Sequence, residues 1–256
     1  MRITLVTLSF NQRKFLAEAI DSVLQQNYPN LEYIVVDPGS SDGSRELLQS
    51  YPGISKTILE RDRGPADGLN KGFEEATGEV FGFLNADDIL FADCLRQVSN
   101  FFEQHPKCDM VMGNGFIIDE QGRHIRHVKA RDFTVRRYLH GGAKFLQQST
   151  FFRREPFLRS PRFNLSNRTC WDGELFVQMR SHGASIGYID ADLAGFRIHG
   201  ASITGSGNTR DIYKVDCQRI FREIQGRDWG TVDQLIKCWY RGEGLCRRVL
   251  EMAKRR

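Results

Sequence analysis

The sequence predicts an α/β protein built on a mostly parallel sheet with helices on both faces. In the first hundred residues, short runs rich in β-branched side chains alternate with segments whose apolar residues recur at helical spacing, the pattern of repeated βαβ units. The strand runs are continuously apolar, as expected for parallel strands covered on both faces. At 256 residues the chain is long enough to bury a full core around such a sheet.

The predicted elements follow one another closely. Strands are expected at 3–8, 31–37, 56–60, 79–84 and 109–113, and helices at 14–25, 44–50, 67–76 and 90–104. Beyond residue 113 the rhythm changes, with a hairpin expected at 115–119 and 124–128, strands at 148–152, 186–189 and 193–199, and a helix at 172–181. A loop is expected at 205–208, and then a basic amphipathic tail at 231–256, interrupted near Gly242 and Gly244.

This change of rhythm divides the chain. We expect one domain over residues 1–205, with a regular half at 1–113 and a mixed half at 114–205, followed by a helical, basic extension at 206–256. Residues 1–128 hold 12 basic and 19 acidic side chains and residues 129–256 hold 24 and 13, so the two parts carry −7 and +11. The cationic part could face an anionic substrate or membrane, or it could form a solvated arginine-rich surface.

The composition excludes several classes of protein. A net charge of +4 with 40% hydrophobic residues excludes a disordered chain and predicts no nucleic-acid partner. Six cysteines without a CxxC pair predict neither a zinc site nor a disulfide framework, and they favour a reducing compartment. No stretch approaches the roughly 20 apolar residues of a membrane-spanning helix, and a strand pattern from residue 3 leaves no room for a leader peptide. We therefore expect a cytoplasmic protein.

Polar side chains follow the first two predicted strands. In an open parallel sheet, ligands bind outside the carboxyl ends of the strands. Thr7 and Asn11 could bond the edge of a nucleobase on which Phe10 stacks, and Asp37 could accept hydrogen bonds from a base or ribose or only shape a turn. Asp42 is better explained as a helix cap. No glycine-rich turn follows the first strand, which argues against a dinucleotide fingerprint and a P-loop.

Charged residues and glycines gather where the helix at 67–76 begins. Arg63 and Lys71 are suited to the oxygens of a diphosphate, because a helix N-terminus adds free N–H groups and the positive end of its dipole. Asp67 belongs to the same segment and is expected to bind there too. The structural alternatives are that Asp67 only caps the helix and that Lys71 is only solvated.

Asp87 and Asp88 form the strongest local motif. They follow an apolar strand, and two adjacent like charges at a strand end require a partner. A hard divalent cation, Mg²⁺ or Mn²⁺, that also holds diphosphate oxygens would supply it. A helix cap would explain one of the two carboxylates but not both.

Three further candidates lie in the cationic half. Asp172 and Glu174 open the helix at 172–181, where acidic residues are common for structural reasons alone. His199 closes the last predicted strand before the loop at 205–208. A lone histidine is more often a structural hydrogen-bond partner than a ligand.

Taken in order, these motifs resemble the inverting family 2 glycosyltransferases with the GT-A fold. The marks are the opening Thr-Leu-Ser-Phe-Asn at 7–11, Val-Val-Asp at 35–37 with the Gly-Ser-Ser-Asp-Gly-Ser run, Asp-Gly-Leu-Asn-Lys-Gly at 67–72, and Leu-Asn-Ala-Asp-Asp at 84–88. The resemblance extends from about residue 3 to 200. It implies a Rossmann-like GT-A domain over 1–205, with a nucleotide-sugar half at 1–113 and an acceptor half at 114–205.

The resemblance also implies roles for individual residues. Thr7, Asn11 and Asp37 would hold the base and ribose, assisted by Asp67 and Asp87. Asp88 would be the metal ligand, with His199 completing the metal or diphosphate site. Asp172 would be the general base, and Glu174 would help to position the acceptor. Two departures are Phe10, where tyrosine is common, and Trp171-Asp172, which replaces a frequent Glu-Asp pair.

The expected reaction moves a sugar from a nucleoside-diphosphate sugar to a saccharide or lipid-linked acceptor, with inversion, in synthesis of a bacterial surface polysaccharide or glycolipid. Acceptor choice is expected to reside in residues 115–168. A sugar-phosphate nucleotidyltransferase and a non-catalytic nucleotide-binding protein are the rival hypotheses. The basic tail predicts peripheral association with the inner face of a membrane, against the alternative of a helix packed on the domain.

Overall fold

The computed structural model describes residues 1–200 and 209–253, with side chains up to residue 244. The predicted boundary between residues 205 and 206 and the loop predicted at 205–208 lie outside the described residues.

Strands and helices alternate through the first half. The strands are β1 (Ile3–Leu8), β2 (Leu31–Val36), β3 (Lys56–Ile58), β4 (Val80–Asn85), β5 (Ile89–Leu90), β6 (Met110–Ile118), β7 (His124–Val128), β8 (Thr150–Arg153) and β9 (Ile186–Arg197). The helices are α1 (Arg13–Leu24), α2 (Ser44–Gln49), α3 (Pro65–Glu74), α4 (Cys94–Gln104), α5 (Val135–Leu139), α6 (Arg154–Arg159), α7 (Trp171–Ser181), α8 (Arg210–Gln225) and α9 (Thr231–Ala253). A 3₁₀ turn at Gln147–Ser149 precedes β8.

These strands form one mixed sheet. Its order is β3, β2, β1, β4, β8, β6, β9 and β5, and β7 pairs with β6. The first four strands in this order are parallel, and β8 then pairs antiparallel with both β4 and β6. Leu8 at the end of β1 lies opposite Val36 and Asn85. The carboxyl ends of β1, β2 and β4 therefore meet at one edge, where the predicted ligand site would lie.

Helices cover both faces of the sheet. Buried Ile3 and Leu5 point into one core cluster, with α1 and α4, and Val6 points into the other, with α3 and α7. On the second side the backbone of α3 approaches β1 closely: a Cβ added at Gly72 would lie 2.6 Å from Cγ1 of Val6. Because Gly72 has no side chain, α3 can lie this close to the sheet.

Several element predictions were wrong in ways that long-range pairing explains. The helix expected from residue 90 begins at Cys94, because Ile89 and Leu90 pair antiparallel with β9. The two strands expected at 186–189 and 193–199 are the single strand β9, whose pairing with β6 shifts register around Asn114. Helices α5 and α6 were not predicted, and α8 was predicted only as part of the helical extension at 206–256.

The helical C-terminal region is present, but without the break expected near Gly242 and Gly244: α9 is continuous. A glycine inside a helix costs about 1 kcal/mol. Tertiary contacts offset that cost here, because the Tyr240 ring packs against Gly142 and Glu243 pairs with Arg137 at 3.0 Å.

Candidate active site

The loops that follow β1 and β2 are hydrogen-bonded to each other. The backbone N–H of Asn11 donates to Oγ of Ser40 at 2.8 Å, and the N–H of Ser41 donates to Oδ1 of Asn11 at 2.9 Å. Asn11 has a φ of 52°, a left-handed conformation that asparagine adopts more readily than most residues. The predicted nucleotide residue Asn11 thus joins the two loops at the carboxyl edge of the sheet.

Asp37 organises the loop after β2. Its carboxylate is buried and accepts hydrogen bonds from Ser9 Oγ, from the N–H groups of Gly39 and Ser40, from Ser40 Oγ and from Arg45 Nε, at 2.6 to 3.2 Å. Burial alone would raise the pKa of Asp37, but the bonds from Ser40, Gly39 and Arg45 outweigh it and lower the pKa. The carboxylate therefore stays ionised.

Thr7 and Phe10, both on the first strand or the loop after it, lie in opposite environments. Thr7 is fully buried, and its hydroxyl accepts a hydrogen bond from Oη of Tyr33 at 3.0 Å. The Phe10 ring is 58% exposed. Of the two, the phenylalanine presents a surface to a ligand, whereas the Thr7 hydroxyl is held within the core.

At the mouth of α3, Arg63 and Asp67 form a closed pair. Asp67 accepts hydrogen bonds from the backbone N–H, Nε and Nη2 of Arg63 at 2.9 to 3.3 Å, and these lower the pKa of Asp67. The Arg63 side chain is otherwise exposed. Nζ of Lys71 donates to the carbonyl oxygen of Arg61 at 2.5 Å, so Lys71 ties the helix to the segment before it.

Asp62 is a carboxylate that sequence reasoning missed at this mouth. Its Oδ1 accepts from the N–H of Gly64 at 2.9 Å, yet burial raises its pKa, and the nearby charges of Asp67 and Asp37 raise it further. Its signal in the sequence was weak, because it lies within a run of charged residues that all suggested solvent exposure. Asp37, Asp62 and Asp67 thus gather at one edge of the sheet.

The adjacent pair at the end of β4 divides into an inner and an outer carboxylate. Asp88 is wholly buried, and it accepts from the N–H of Arg197 at 2.8 Å, Nε2 of Gln148 at 2.7 Å and Nδ2 of Asn85 at 3.0 Å. Burial, and then the charge of Asp87, raise the pKa of Asp88. Asp87 is the outer member, and its Oδ2 lies 3.0 Å from Nε2 of His199.

Arg197 holds this pair in place, and the sequence did not single it out. Although only 1% exposed, its Nε donates to the carbonyl oxygen of Asp87 at 2.7 Å and its Nη2 to Oε2 of Glu18 at 2.7 Å. Arg197 is the last residue of β9, and His199 lies two residues after it. The end of this strand therefore supplies both contacts to Asp87. The geometry brings Asp87 and His199 together and places Asp88 behind them.

Asp87 and His199 are the side chains that could bind the predicted metal ion. A carboxylate oxygen and an imidazole nitrogen, as in Asp87 and His199, are ligands that Mn²⁺ accepts. Among the described side chains, those of residues 1–200 and 209–244, no cluster of three or more His, Cys, Asp or Glu is arranged to hold a metal ion. Two protein donors still fit a cation such as Mg²⁺, which usually keeps several waters and takes substrate phosphates. Both oxygens of Asp88 are already engaged by protein donors.

Asp172 lies in the first turn of α7, as predicted. Burial raises the pKa of this half-buried carboxyl group, although a hydrogen bond from the Gly173 N–H opposes the shift. In the described part of the chain its carboxylate hydrogen-bonds only backbone N–H groups. A carboxylate with a raised pKa and a free lone pair is suited to accept a proton.

Glu174 has a different environment from its neighbour. It is 3% exposed, and its two oxygens accept from Nη1 and Nη2 of Arg219 at 2.7 and 2.6 Å and from the amides of Asn164 and Asn167. Burial would raise the pKa of Glu174, but these partners, Arg219 foremost, lower it. Glu174 therefore joins α7 to α8 as a charged structural residue.

A cavity of about 670 Å³ opens beside α3 and α7. Its lining is mostly carboxylates, amides and guanidinium groups: Arg63, Asp67, Asn70, Glu74, Arg162, Asn164, Glu174, Gln178 and Glu223, with Pro161, Phe163 and Leu165. Such polar side chains match the hydroxyl groups of a saccharide. Of the residues expected to choose the acceptor, the loop at 161–165 lines this cavity, whereas Gln147 and Gln148 are buried.

In the described helices, none is both long and apolar enough to cross a membrane.

Comparison with known proteins identifies the family. A model described as "Glycosyl transferase family 2" matches residues 4–163. The putative teichuronic acid biosynthesis glycosyltransferase TuaG of Bacillus subtilis (strain 168) is 37% identical over 103 residues, which are 39% of this chain and 41% of TuaG. The chain spans between 22% and 66% of the length of the first curated relatives that it matches.

Solved structures agree in fold. S. aureus TarS 1-349 in complex with UDP-GlcNAc matches with a TM-score of 0.71 at 18% identity, over 94% of this chain and 71% of that one. The mannosyltransferase PcManGT from Pyrobaculum calidifontis, in complex with GDP-Man and Mn²⁺, matches with a TM-score of 0.65 at 20% identity, over 94% and 68%. Since the family model covers more than half of the chain and the mixed sheet matches these structures, the protein belongs to glycosyl transferase family 2 and has the GT-A fold.

Proposed function

We propose that the protein transfers a sugar from a nucleoside-diphosphate sugar to a hydroxyl group of a saccharide or lipid-linked acceptor, with inversion at the anomeric carbon. The observation that carries this proposal is Asp172, on the first turn of a helix in the acceptor half: its pKa is raised, and among the described residues its partners are backbone N–H groups. The family membership and the nucleotide sugars bound by TarS and PcManGT support it.

The donor nucleotide would bind across the carboxyl ends of β1, β2 and β4. Asp37 and Asn11 form the floor of this edge, and Phe10 offers an exposed ring on which a base can stack. Arg63 and Lys71 lie at the start of α3 with Asp67, near where the diphosphate would pass. Thr7 would contribute from within the core by holding Tyr33 and the end of β1.

Asp87 and His199 would hold the divalent cation, Mn²⁺ or Mg²⁺, and Asp88 would orient them from behind. The sequence implied Asp88 as the metal ligand. We assign that role to Asp87 instead, because both oxygens of the buried Asp88 already accept hydrogen bonds from protein donors. When bound, the cation would neutralise the charge of the departing nucleoside diphosphate.

Asp172 would act as the general base. As the acceptor oxygen attacks the anomeric carbon from the face opposite the diphosphate, a carbon–oxygen bond forms, the bond to the diphosphate breaks, and the hydroxyl proton passes to Asp172. A single displacement of this kind inverts the configuration. Glu174 would fix α7 against α8 and, from the lining of the cavity, help to position the acceptor.

The acceptor would lie along α7, with its saccharide in the cavity of about 670 Å³. Synthesis of a bacterial surface polysaccharide is the process that fits best, since TuaG is named for teichuronic acid biosynthesis. Such acceptors can be lipid-linked, so the enzyme would act at the cytoplasmic face of a membrane.

Helix α9 offers a surface for that membrane. Val232, Leu235 and Trp239 recur at spacings of three and four, so they share one helix face, and all three are largely exposed, Trp239 by 72%. Asp233, on a different side of the helix, pairs with His140 and holds the start of α9 on the domain, and Glu243 pairs with Arg137 near its other end. The basic residues of the tail, Arg247, Arg248, Lys254, Arg255 and Arg256, lie beyond the described side chains, and by sequence they would complement anionic lipid.

A thermal-shift panel tests the donor site first. Nucleoside diphosphates and nucleotide sugars are added with and without Mn²⁺, and a ligand at a hundredfold its dissociation constant stabilises by about 2.7 kcal/mol. The ligand that stabilises most then serves as donor, and the anomeric configuration of the product is read by NMR. A product with retained configuration, or a chain that no nucleotide stabilises, would contradict the proposed function.

A further inference from the structure

Two cysteines far apart in sequence lie against each other at the start of α7. Cys170 is the N-cap residue of α7 and is buried, and Cys217 is a half-buried residue of α8. Each thiol lies close enough to the other to shift its pKa. Nδ2 of Asn167 lies 3.6 Å from Sγ of Cys170, which fixes that sulfur from the other side.

Independent contacts hold the two backbones together on both sides of this pair. The N–H of Arg168 and the hydroxyl of Thr169 both donate to Oδ2 of Asp216, at 3.1 and 2.7 Å. On the far side, Arg219 makes its two-pronged bond to Glu174. Because the residues next to each cysteine are fixed in this way, the two sulfurs need only a small approach to bond, and little chain entropy is lost.

The environment also activates one sulfur. Hydrogen bonds from Cys170 and from Tyr213 lower the pKa of the Cys217 thiol to about 7, although burial opposes the shift. Of the two thiols, Cys217 therefore loses its proton more readily, and the thiolate is the nucleophile in disulfide exchange. The pKa of Cys170 is raised, so Cys170 is the protonated partner.

We propose that Cys170 and Cys217 form a reversible disulfide that controls the position of the Asp172 carboxylate. The oxidant is a small disulfide of the glutathione class. The Cys217 thiolate attacks one sulfur of the oxidant and releases the first small thiolate. Cys170 then loses its proton to solvent and attacks Sγ of Cys217, which forms the protein disulfide and releases the second thiolate. Two protein thiols lose two electrons and two protons, and the oxidant gains them as two thiols.

The disulfide acts on Asp172 through the first turn of α7. Cys170 is two residues before Asp172, and its N–H donates to Oδ1 of Asn167 at 2.9 Å as part of the turn that begins the helix. A covalent bond draws this turn toward α8 and removes the thiol that Tyr213 contacts. The hydroxyl of Tyr138 packs against this turn, since a Cβ added at Gly173 would collide with it, so a shift of the turn changes the surroundings of the Asp172 carboxylate.

The test uses the full chain after incubation with glutathione disulfide or with dithiothreitol. Peptide mapping by mass spectrometry without reduction should find a Cys170–Cys217 cross-link after oxidation and none after reduction. Cys217→Ser and Cys170→Ser should abolish the cross-link, whereas the matched control Cys238→Ser, which removes an exposed cysteine, should leave it intact. The proposal would be overturned if the oxidised wild-type chain carried a glutathione adduct on Cys238 but no cross-link between Cys170 and Cys217. This outcome is read on the wild-type chain, so it does not depend on whether the variants fold.

The effect of the disulfide on Asp172 rests on the proposed function, and a separate measurement of turnover tests it. Oxidation should lower sugar transfer by about tenfold or more, and dithiothreitol should restore it, while the binding of nucleoside diphosphate measured by calorimetry stays unchanged. A cross-link that forms with no change in turnover would overturn the control of Asp172. A reduced chain that binds no nucleotide sugar would overturn the proposed function, yet the mapping experiment would still decide whether the disulfide forms.

Discussion

Oδ2 of Asp87 lies 3.0 Å from Nε2 of His199, although 112 residues separate them. The contact joins the end of β4 to the residues that follow β9, and Arg197 at the end of β9 holds the backbone of Asp87 from the same side. A carboxylate and an imidazole are thus placed together at the edge of the sheet where β1 and β2 also end. This pair, more than the adjacency of two aspartates in the sequence, defines the candidate cation site.

We expect Asp87→Asn to weaken the metal-dependent binding of nucleoside diphosphate by about tenfold or more, because it weakens one of the two protein donors. Calorimetry with UDP and GDP, in Mn²⁺ and in EDTA, measures this effect. The affinity in EDTA should change little. Asp93→Asn, at an exposed aspartate that pairs with Arg96, is the matched control and should bind as the wild type does.

Asp88→Ala should act on stability instead. It leaves the buried donors of Gln148, Asn85 and Arg197 without their acceptor, which should cost about 2 kcal/mol or more and lower the melting temperature. If Asp88→Ala were as stable as the wild type but had lost metal-dependent binding of nucleoside diphosphate, Asp88 would be the metal ligand.

Asp172→Asn should lower turnover by the ~10² to 10⁴ that general base catalysis contributes, while nucleotide binding stays nearly unchanged. The pH profile gives a second readout. A base must be deprotonated, and the pKa of Asp172 is raised, so turnover should fall on the acid side at a pH above the ordinary range of an aspartate. Full turnover in Asp172→Asn would exclude this residue as the base.

Glu174→Gln should destabilise the fold by about 2 kcal/mol, because it weakens two charge-assisted hydrogen bonds between the buried Glu174 and Arg219, which keeps its pair with Glu223 at 3.0 Å. Denaturant unfolding measures it. Glu75→Gln is the matched control, since Glu75 pairs with Lys56 in solvent and should matter by less than about 1 kcal/mol.

The same pair should make stability depend on pH. The pKa of Glu174 is lower in the folded chain than in the unfolded chain, so its contribution is complete above the unfolded pKa and is lost as the pH falls through the folded value. Glu174→Gln should flatten that acid-side decline. An unchanged decline would mean that the ion pair contributes little.

Replacing Leu235 and Trp239 with glutamine should reduce binding of the chain to anionic vesicles, because it removes apolar area from the exposed face of α9. Flotation with phosphatidylglycerol vesicles measures the bound fraction. Ile125→Gln removes an equally exposed apolar residue from the hairpin and should have no effect. Equal flotation of the wild type, the Leu235 and Trp239 variant and Ile125→Gln would contradict membrane binding through α9.

Much of the first half could be predicted because its signals are local. β1 was predicted at its observed bounds, and β2 and α2 were each predicted to within one residue, since continuous apolar runs and helical spacing are properties of neighbouring residues. Elements that depend on long-range contacts could not be predicted as well. The pairing of Ile89 with Gly195 and the continuity of α9 through two glycines depend on contacts with distant residues, which override local propensity.

The sequence by itself determined the fold class, the edge of the sheet where polar residues collect, and which residue types are available there, because each follows from spacing along the chain. Only the tertiary structure decided which of those residues is reachable. It turned Asp87 outward to His199 and enclosed Asp88, and it brought Cys170 to Cys217. It engaged Glu174 with Arg219, whereas Asp172 has only backbone partners among the described residues. The physical reason is that burial and hydrogen-bond partners come from elements distant in sequence, and these two factors set both access and pKa.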